Sequence, residues 1–161
     1  MPIYHITFHT YGTWLTGDER GSVKVPQNQP AQPRLGHQPH LVAHIQNQMH
    51  QQPAQLGNAL RASVETSIVG VCDYREWTLY AINVRQNHVH AVVSAPCGAD
   101  KIRDDFKAYA TRHLRQKRLA DQGEAIWAEG GSGHVVTSLA GLEAVIEYVR
   151  FGQGPDLHDL P

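Results

Sequence analysis

Residues 79–96 read LYAINVRQNHVHAVVSAP. Two apolar, β-branched runs, Trp77 to Val84 and His88 to Ala95, are separated by Arg85-Gln86-Asn87, a short connection ending in asparagine. That pattern predicts a β-hairpin closed by Pro96. On its second arm Val89, Ala91 and Val93 fall on one face and His88 and His90 on the other, because strand side chains alternate. Two imidazoles that project together can grip one divalent ion. The motif is weak alone: 11 histidines in 161 residues give about 0.7 His-x-His pairs by chance. A solvent-facing or hydrogen-bonded pair explains it equally well.

Working outward, Ile3 to Thr10 alternates Tyr4, Ile6 and Phe8 against His5, Thr7 and His9, the period of a half-buried strand. YGTWLTGDERGS then reads as an ordered loop. From Pro26 to Gly57 the composition turns glutamine- and proline-rich, which predicts an insertion around 26–57, extended over Pro26 to Pro39 and helical over His40 to Gln52. Leu60 to Val71 has helical spacing. Asp100 to about Leu119 reads as the best helix, with Asp100 as its cap, Asp104 and Asp105 early, and Arg112, Arg115, Lys117 and Arg118 late, matching the helix dipole. EGGSGHVV leads into a short strand, and Leu139 to Phe151 closes the chain as an amphipathic helix with Leu142, Val145, Ile146 and Val149 on one face. The order of elements predicts one α+β domain over 1–161, an antiparallel sheet packed with helices.

Composition bounds the function. The chain is 41% hydrophobic and 18% charged, with a net charge of -1, as in a soluble globular protein. Nucleic-acid binding would have to rest on local charge, not the total. Two cysteines, Cys72 and Cys97, form no C-x-x-C pair, which fits a reducing compartment. No secretory pattern opens the chain and no apolar run approaches the ~20 residues of a membrane span. A cytoplasmic location without membrane contact is therefore expected.

On the Asp100 helix, Tyr109 and His113 fall within the stripe of Ile102, Phe106 and Ala110, so both are expected to face the sheet. His113 would join His88 and His90 as a third imidazole ligand, with the Tyr109 phenol beside them as nucleophile. The plain alternative is a core tyrosine whose hydroxyl is satisfied by His113. Lys101, Arg103, Lys107, Arg112, Arg115, Lys117 and Arg118 make this helix locally basic, the footprint of a phosphate-backbone partner or simply a solvated face. Tyr11, Trp14 and Trp127 could stack on unpaired bases or serve as half-buried packing. The amides of Gly130, Gly131 and Gly133 could cradle a phosphate, a weak signal.

His88-Val-His90 on a strand, followed by Lys107-Ala-Tyr109-Ala-Thr-Arg-His113 on a basic helix, resembles the single-tyrosine HUH transposases of the IS200/IS605 type, and within them the subgroup associated with repeated extragenic palindromes (REP). YHITFHTYGTWLTGD, LYAINVRQNHVHAVV, IWAEGGSGHVV and EAVIEYVRFGQG support the likeness, which covers residues 3 to 25 and 73 to 154. The resemblance implies a ferredoxin-like HUH fold, His88, His90 and His113 as metal ligands, and Tyr109 as nucleophile. The ion would be Mg²⁺ or Mn²⁺, although three imidazoles also suit Zn²⁺. It further implies cleavage and joining of single-stranded DNA through a 5′-phosphotyrosine, at sites marked by hairpin or palindromic DNA. Dimers with a shared site are common in such families, so a homodimer is one assembly it allows. Two other readings stay open: a domesticated descendant that binds palindromic DNA without cutting it, and a small metal-dependent hydrolase using water.

Overall fold

The computed structural model describes residues 1–12 and 54–153. The loop after Gly12, Trp14, and the glutamine-rich insertion with its expected helix over His40 to Gln52 lie outside the described residues, apart from the insertion's last four positions. The elements are β1 (Ile3–His9), α1 (Asn58–Arg75), β2 (Thr78–Val84), β3 (His88–Ser94), α2 (Ala99–Gln116), β4 (Ser132–Val136) and α3 (Leu139–Phe151). The four strands form one sheet in the order β2-β3-β1-β4, with every neighbouring pair antiparallel. This is the ferredoxin-like α+β arrangement expected from the sequence.

The sheet dictates where the helices go. Because β1 is antiparallel to both of its neighbours and β3 to both of its own, β1 runs parallel to β2, and β3 to β4. Each parallel pair is joined by a helix. The two crossovers start from antiparallel strands and run in opposite directions along the sheet, so a common right hand puts both helices on one face. There they meet the apolar side of the strands: Ile6, Phe8, Val89, Ala91 and Val93 join Val64, Ile68, Ile102, Phe106, Ala110 and Leu114 in one core. Phe8 and Phe106 are fully buried in it, and such burial contributes about 2 kcal/mol for each ring.

Among the described elements, the other face is covered by α3. Its contact is a small cluster of Ala81, Val92 and Val149, with Ile3, Tyr80, Leu142, Val145 and Ile146 at the margin. Ser138 caps this helix through its Oγ, which accepts from the Gly141 amide at 3.0 Å. At the other end, Asn83 Nδ2 donates to the Val149 carbonyl at 2.9 Å and Arg150 donates to the Tyr80 carbonyl at 3.1 Å, satisfying a last-turn carbonyl and tying the helix to β2.

Two expectations change. The cap position of α2 is Gly98, with no side-chain cap bond; Asp100 sits inside the first turn and pairs with Arg103 at 3.1 Å, since its carboxylate is already past the amides a cap must reach. The glycine-rich turn serves packing. A Cβ on Gly131, whose φ is +137°, would overlap the Thr7 carbonyl oxygen and the Arg103 side chain, and one on Gly133 would overlap Ala99.

Gly131→Ala should therefore destabilise the protein by on the order of 3 kcal/mol, from the glycine-only backbone conformation and the overlap together. Gly123, which has nothing within 4 Å of its would-be Cβ, should accept alanine within about 0.5 kcal/mol. Urea unfolding of the two variants checks the contrast.

Candidate active site

Register gathers the histidines. Thr7 stands directly opposite His90, and His9 opposite His88, across the β1–β3 pair; His134 of β4 lies opposite His5, and Asn83 of β2 opposite His90. Directly opposed residues share a face, so His5, Thr7, His9, Asn83, His88, His90 and His134 all lie on the side covered by α3. The apolar alternates of the same strands fill the core behind them.

The two histidines of the motif are held differently. His88 Nδ1 lies 2.6 Å from the Asn87 carboxamide oxygen, a contact in which the ring nitrogen donates and Nε2 keeps its lone pair. Asn87, the last residue of the hairpin turn, is itself pinned where its carbonyl accepts from the Thr10 amide at 2.9 Å. His90 is buried, and its Nδ1 lies 3.0 Å from Thr7 Oγ1 and 3.1 Å from His5 Nε2. The His5 and His90 rings stack with centroids 5.3 Å apart, and those of His88 and His90 meet edge to face at 4.9 Å.

Burial sets their charge. His90 is pushed down to about 3, first by loss of hydration and then by the neighbouring His88, His5 and His9, with a Gln153 hydrogen bond acting the other way. His5 is lowered to about 4 by burial and by His134. Both are neutral at ordinary pH, the form that donates a lone pair to a metal. Among the described residues no three His, Cys, Asp or Glu side chains converge to hold an ion. The donor set nevertheless fits a divalent cation: paired imidazoles whose Nδ1 atoms are occupied by second partners, the arrangement typical of metal-bound histidines.

The tyrosine beside them is Tyr148. Its ring stands edge-on to His90 at 5.9 Å and to His5 at 6.0 Å. Tyr148 is half-exposed on the last turn of α3, and its carbonyl accepts from Gln153 Nε2 at 3.1 Å. Tyr109 and His113 are not brought to the histidine pair. They ride α2, which packs on the Phe8, Val89 and Ala91 face, whereas alternation aims His88 and His90 through the opposite face. Tyr109 packs against the core with the Arg112 guanidinium 5.2 Å from its ring centre. His113 Nε2 is buried without a hydrogen-bond partner. The helical stripe was read correctly as facing the sheet; which face of the sheet it meets is decided by the crossovers.

The basic residues of α2 divide. Lys107 donates to the carbonyls of Ala128 and Gly130 at 2.9 and 2.6 Å, and burial lowers it to about 8, with Arg103 adding to the shift while Asp104 and Glu129 oppose it. Arg103 pairs with Asp100 and Asp104, and Lys101 with the buried Asp105. Arg115 donates to the Glu124 carbonyl at 3.2 Å. Arg112, Lys117 and Arg118 are exposed. A shallow groove of about 700 Å³ runs along this surface, lined by Asp104, Lys107, Thr111, Arg112, Arg115 and Gln122 among others. Trp127 is a packing residue: its Nε1 donates to Lys107 O and Thr111 Oγ1 at 3.2 and 3.1 Å, and its ring meets Phe8 edge-on at 5.0 Å. Tyr11 is half-buried between backbone bonds to Ile126 and Ala54.

Tyr148, Gln153, His5 and Thr7 were missed as site residues in the sequence. What finds Tyr148 is the topology: with the strand order β2-β3-β1-β4 and a common right hand, both crossover helices share one face, which among the described elements leaves the closing helix for the histidine side.

The low values of His90 and His5 have a sign. Below the ordinary value of 6.5 the unfolded chain takes up protons that the native rings refuse until about 3 and 4, so stability is complete above 6.5 and falls as pH drops through that window. The urea midpoint of metal-free protein should decline as pH falls from 6.5 toward about 4, and His90→Asn should flatten the decline.

A sequence profile of the family described as "Transposase IS200 like" matches residues 37–150, a span that begins inside the glutamine-rich segment. No curated protein matches the sequence. Among solved structures the fold is similar to that of a REP-associated tyrosine transposase bound to a REP hairpin, with a TM-score of 0.50 and 12% identity over 94% of this chain. The chain spans 66% of that protein's length.

Proposed function

The chain belongs to the IS200-like transposase family, and we propose that it is a metal-dependent single-stranded DNA nicking and joining enzyme in which Tyr148, not Tyr109, is the nucleophile. The observation that carries this reading is the Tyr148 ring 5.9 Å from that of His90, on the face to which the paired imidazoles point. His88 and His90 would hold a Mg²⁺ or Mn²⁺ ion, with the Gln153 carboxamide near enough to His90 to complete the protein's share. Oxygen ligands beside two imidazoles suit Mg²⁺ and Mn²⁺ better than a set of three imidazoles, which would also suit Zn²⁺. When bound, the ion supplies charge neutralisation at the phosphate oxygens and orientation of the scissile group.

The residues of the chain then do the following. The Tyr148 hydroxyl, at the open end of α3, attacks phosphorus and forms the phosphotyrosine ester as the bond to the 3′-oxygen breaks; the proton lost by the phenol balances the one gained by the leaving 3′-hydroxyl. Since the ester conserves the bond, a second 3′-hydroxyl can reverse the step and join strands. Asn83 and Arg150, by fastening the end of α3 to β2, hold the phenol near the histidines. No helix among the described residues is long and apolar enough to cross a membrane, and the hairpin bound by the structural neighbour makes hairpin or palindromic DNA the substrate to test.

With Mn²⁺ and a hairpin-bearing single strand, the wild type should form a covalent adduct. Tyr148→Phe should lose it altogether and Tyr109→Phe should keep it; an adduct that survives Tyr148→Phe would sink the assignment. His88→Ala should lower cleavage by at least about a hundredfold.

DNA contact along the α2 groove is the second part of the proposal. Arg112, exposed on that groove, would meet phosphate, whereas Lys107 is engaged by carbonyls and supports the loop. Arg112→Ala should therefore weaken binding across sequences and reduce the salt slope by about 1. Lys107→Met should instead lower the unfolding midpoint. Binding isotherms over a salt series and urea melts separate these effects.

A further inference from the structure

Around His90 Nδ1 the sheet builds a closed triangle: Thr7 Oγ1 at 3.0 Å, His5 Nε2 at 3.1 Å, and 3.5 Å between those two atoms. All three sit on β1 and β3, the most extensively paired strands, and Thr7 and His90 are both buried. Neither ring nitrogen can carry a hydrogen toward the other if the other does too. The hydroxyl alone can accept and donate at once.

From this triangle we infer that Thr7 is a positioning residue, which with His5 holds His90 in the tautomer that carries hydrogen on Nδ1 and leaves the Nε2 lone pair for a metal ion. The inference rests on the reading of His90 as a ligand. The ordered chain runs from His90 Nδ1–H to Thr7 Oγ1, and from the Thr7 hydroxyl to His5 Nε2. Thr7 thereby fixes His5 as an acceptor as well, so His5 cannot present a hydrogen that would force the opposite tautomer on His90. A competing pull exists. Gln153 hydrogen-bonds His90 in the sense that favours a hydrogen on the ring, and with Nδ1 engaged by Thr7 and His5 this hydrogen would sit on Nε2, where it blocks coordination. Thr7 and His5 draw the hydrogen to the far side of the ring. Ligand histidines commonly depend on such an outer partner, and its loss typically costs ten- to a hundredfold in metal affinity.

The hydroxyl can be removed with little change in shape by Thr7→Val. Two quantities are read: the His90 tautomer by ¹⁵N NMR of the metal-free protein, and Mn²⁺ affinity by calorimetry without DNA. The expected result is a shift of His90 from Nδ1–H toward Nε2–H and about a tenfold loss of Mn²⁺ affinity, with both restored by Thr7→Ser. His5→Phe, which keeps a ring stacked on His90 but has no Nε2, should move both readings in the same direction and serves if the valine variant fails to fold. His90 keeping its wild-type tautomer in Thr7→Val or His5→Phe overturns the inference. The tautomer measurement needs no metal, so it decides the role of Thr7 separately: wild-type protein that binds no Mn²⁺ would refute the ligand reading, while an unchanged tautomer would refute the positioning.

Discussion

Alternation along β3 divides this protein. Val89, Ala91 and Val93 go to one side of the sheet, and His88, His90 and Val92 to the other. β1 repeats the division in register, with Ile6 and Phe8 against His5, Thr7 and His9. A one-residue slip would bury the imidazoles in the core and expose the valines. The large apolar core makes that slip costly, and the site inherits its geometry from the same penalty.

The two faces are unequal, and the inequality suits their tasks. Each of α1 and α2 buries five residues, whereas α3 buries only Val149 completely. The helix that carries Tyr148 is thus held by a small cluster, a serine cap and two side-chain bonds to the strand beside it. An element with few buried apolar contacts has the lowest barrier to local opening. The core behind the sheet is thus the more extensive one, and the tyrosine's helix is held by fewer buried side chains than α1 or α2.

The site's polar groups also follow from the sheet. Histidines on three adjacent strands come together on this face, and burial first, then the neighbouring rings, lowers the basicity of His90 and His5. Their neutrality is a property of the cluster, not of His-x-His. By contrast, the basic helix on the far side uses much of its charge internally: Lys107 binds loop carbonyls, and Arg103 and Lys101 face acids. Its formal charge overstates what a phosphate would meet.

Much was legible in the residues alone. The hairpin, the strand at Ile3, the helix over Leu139 to Phe151 and the common direction of His88 and His90 follow from period and turn chemistry, which are local. The family resemblance rested on His88-Val-His90 together with Tyr109 and His113, but Tyr109 and His113 lie on the helix behind the sheet, and the tyrosine beside the histidines is Tyr148. Tyr109 and Tyr148 both lie on amphipathic helices, and helical periodicity says which side of a helix is buried without saying which side of a sheet it meets. That second fact is global. It depends on the strand order β2-β3-β1-β4 and on the common hand of the two crossovers, and it puts α2 behind the valines and α3 over the histidines. Trp127 and Lys107 teach the same lesson at shorter range, since an aromatic ring or a charge in the sequence has no assigned neighbour until the chain folds. The elements and the face each strand residue takes are written in the residues, because neighbours one to four positions away set them; which tyrosine meets the histidines emerges with the fold, because contacts between residues 58 positions apart are set by topology.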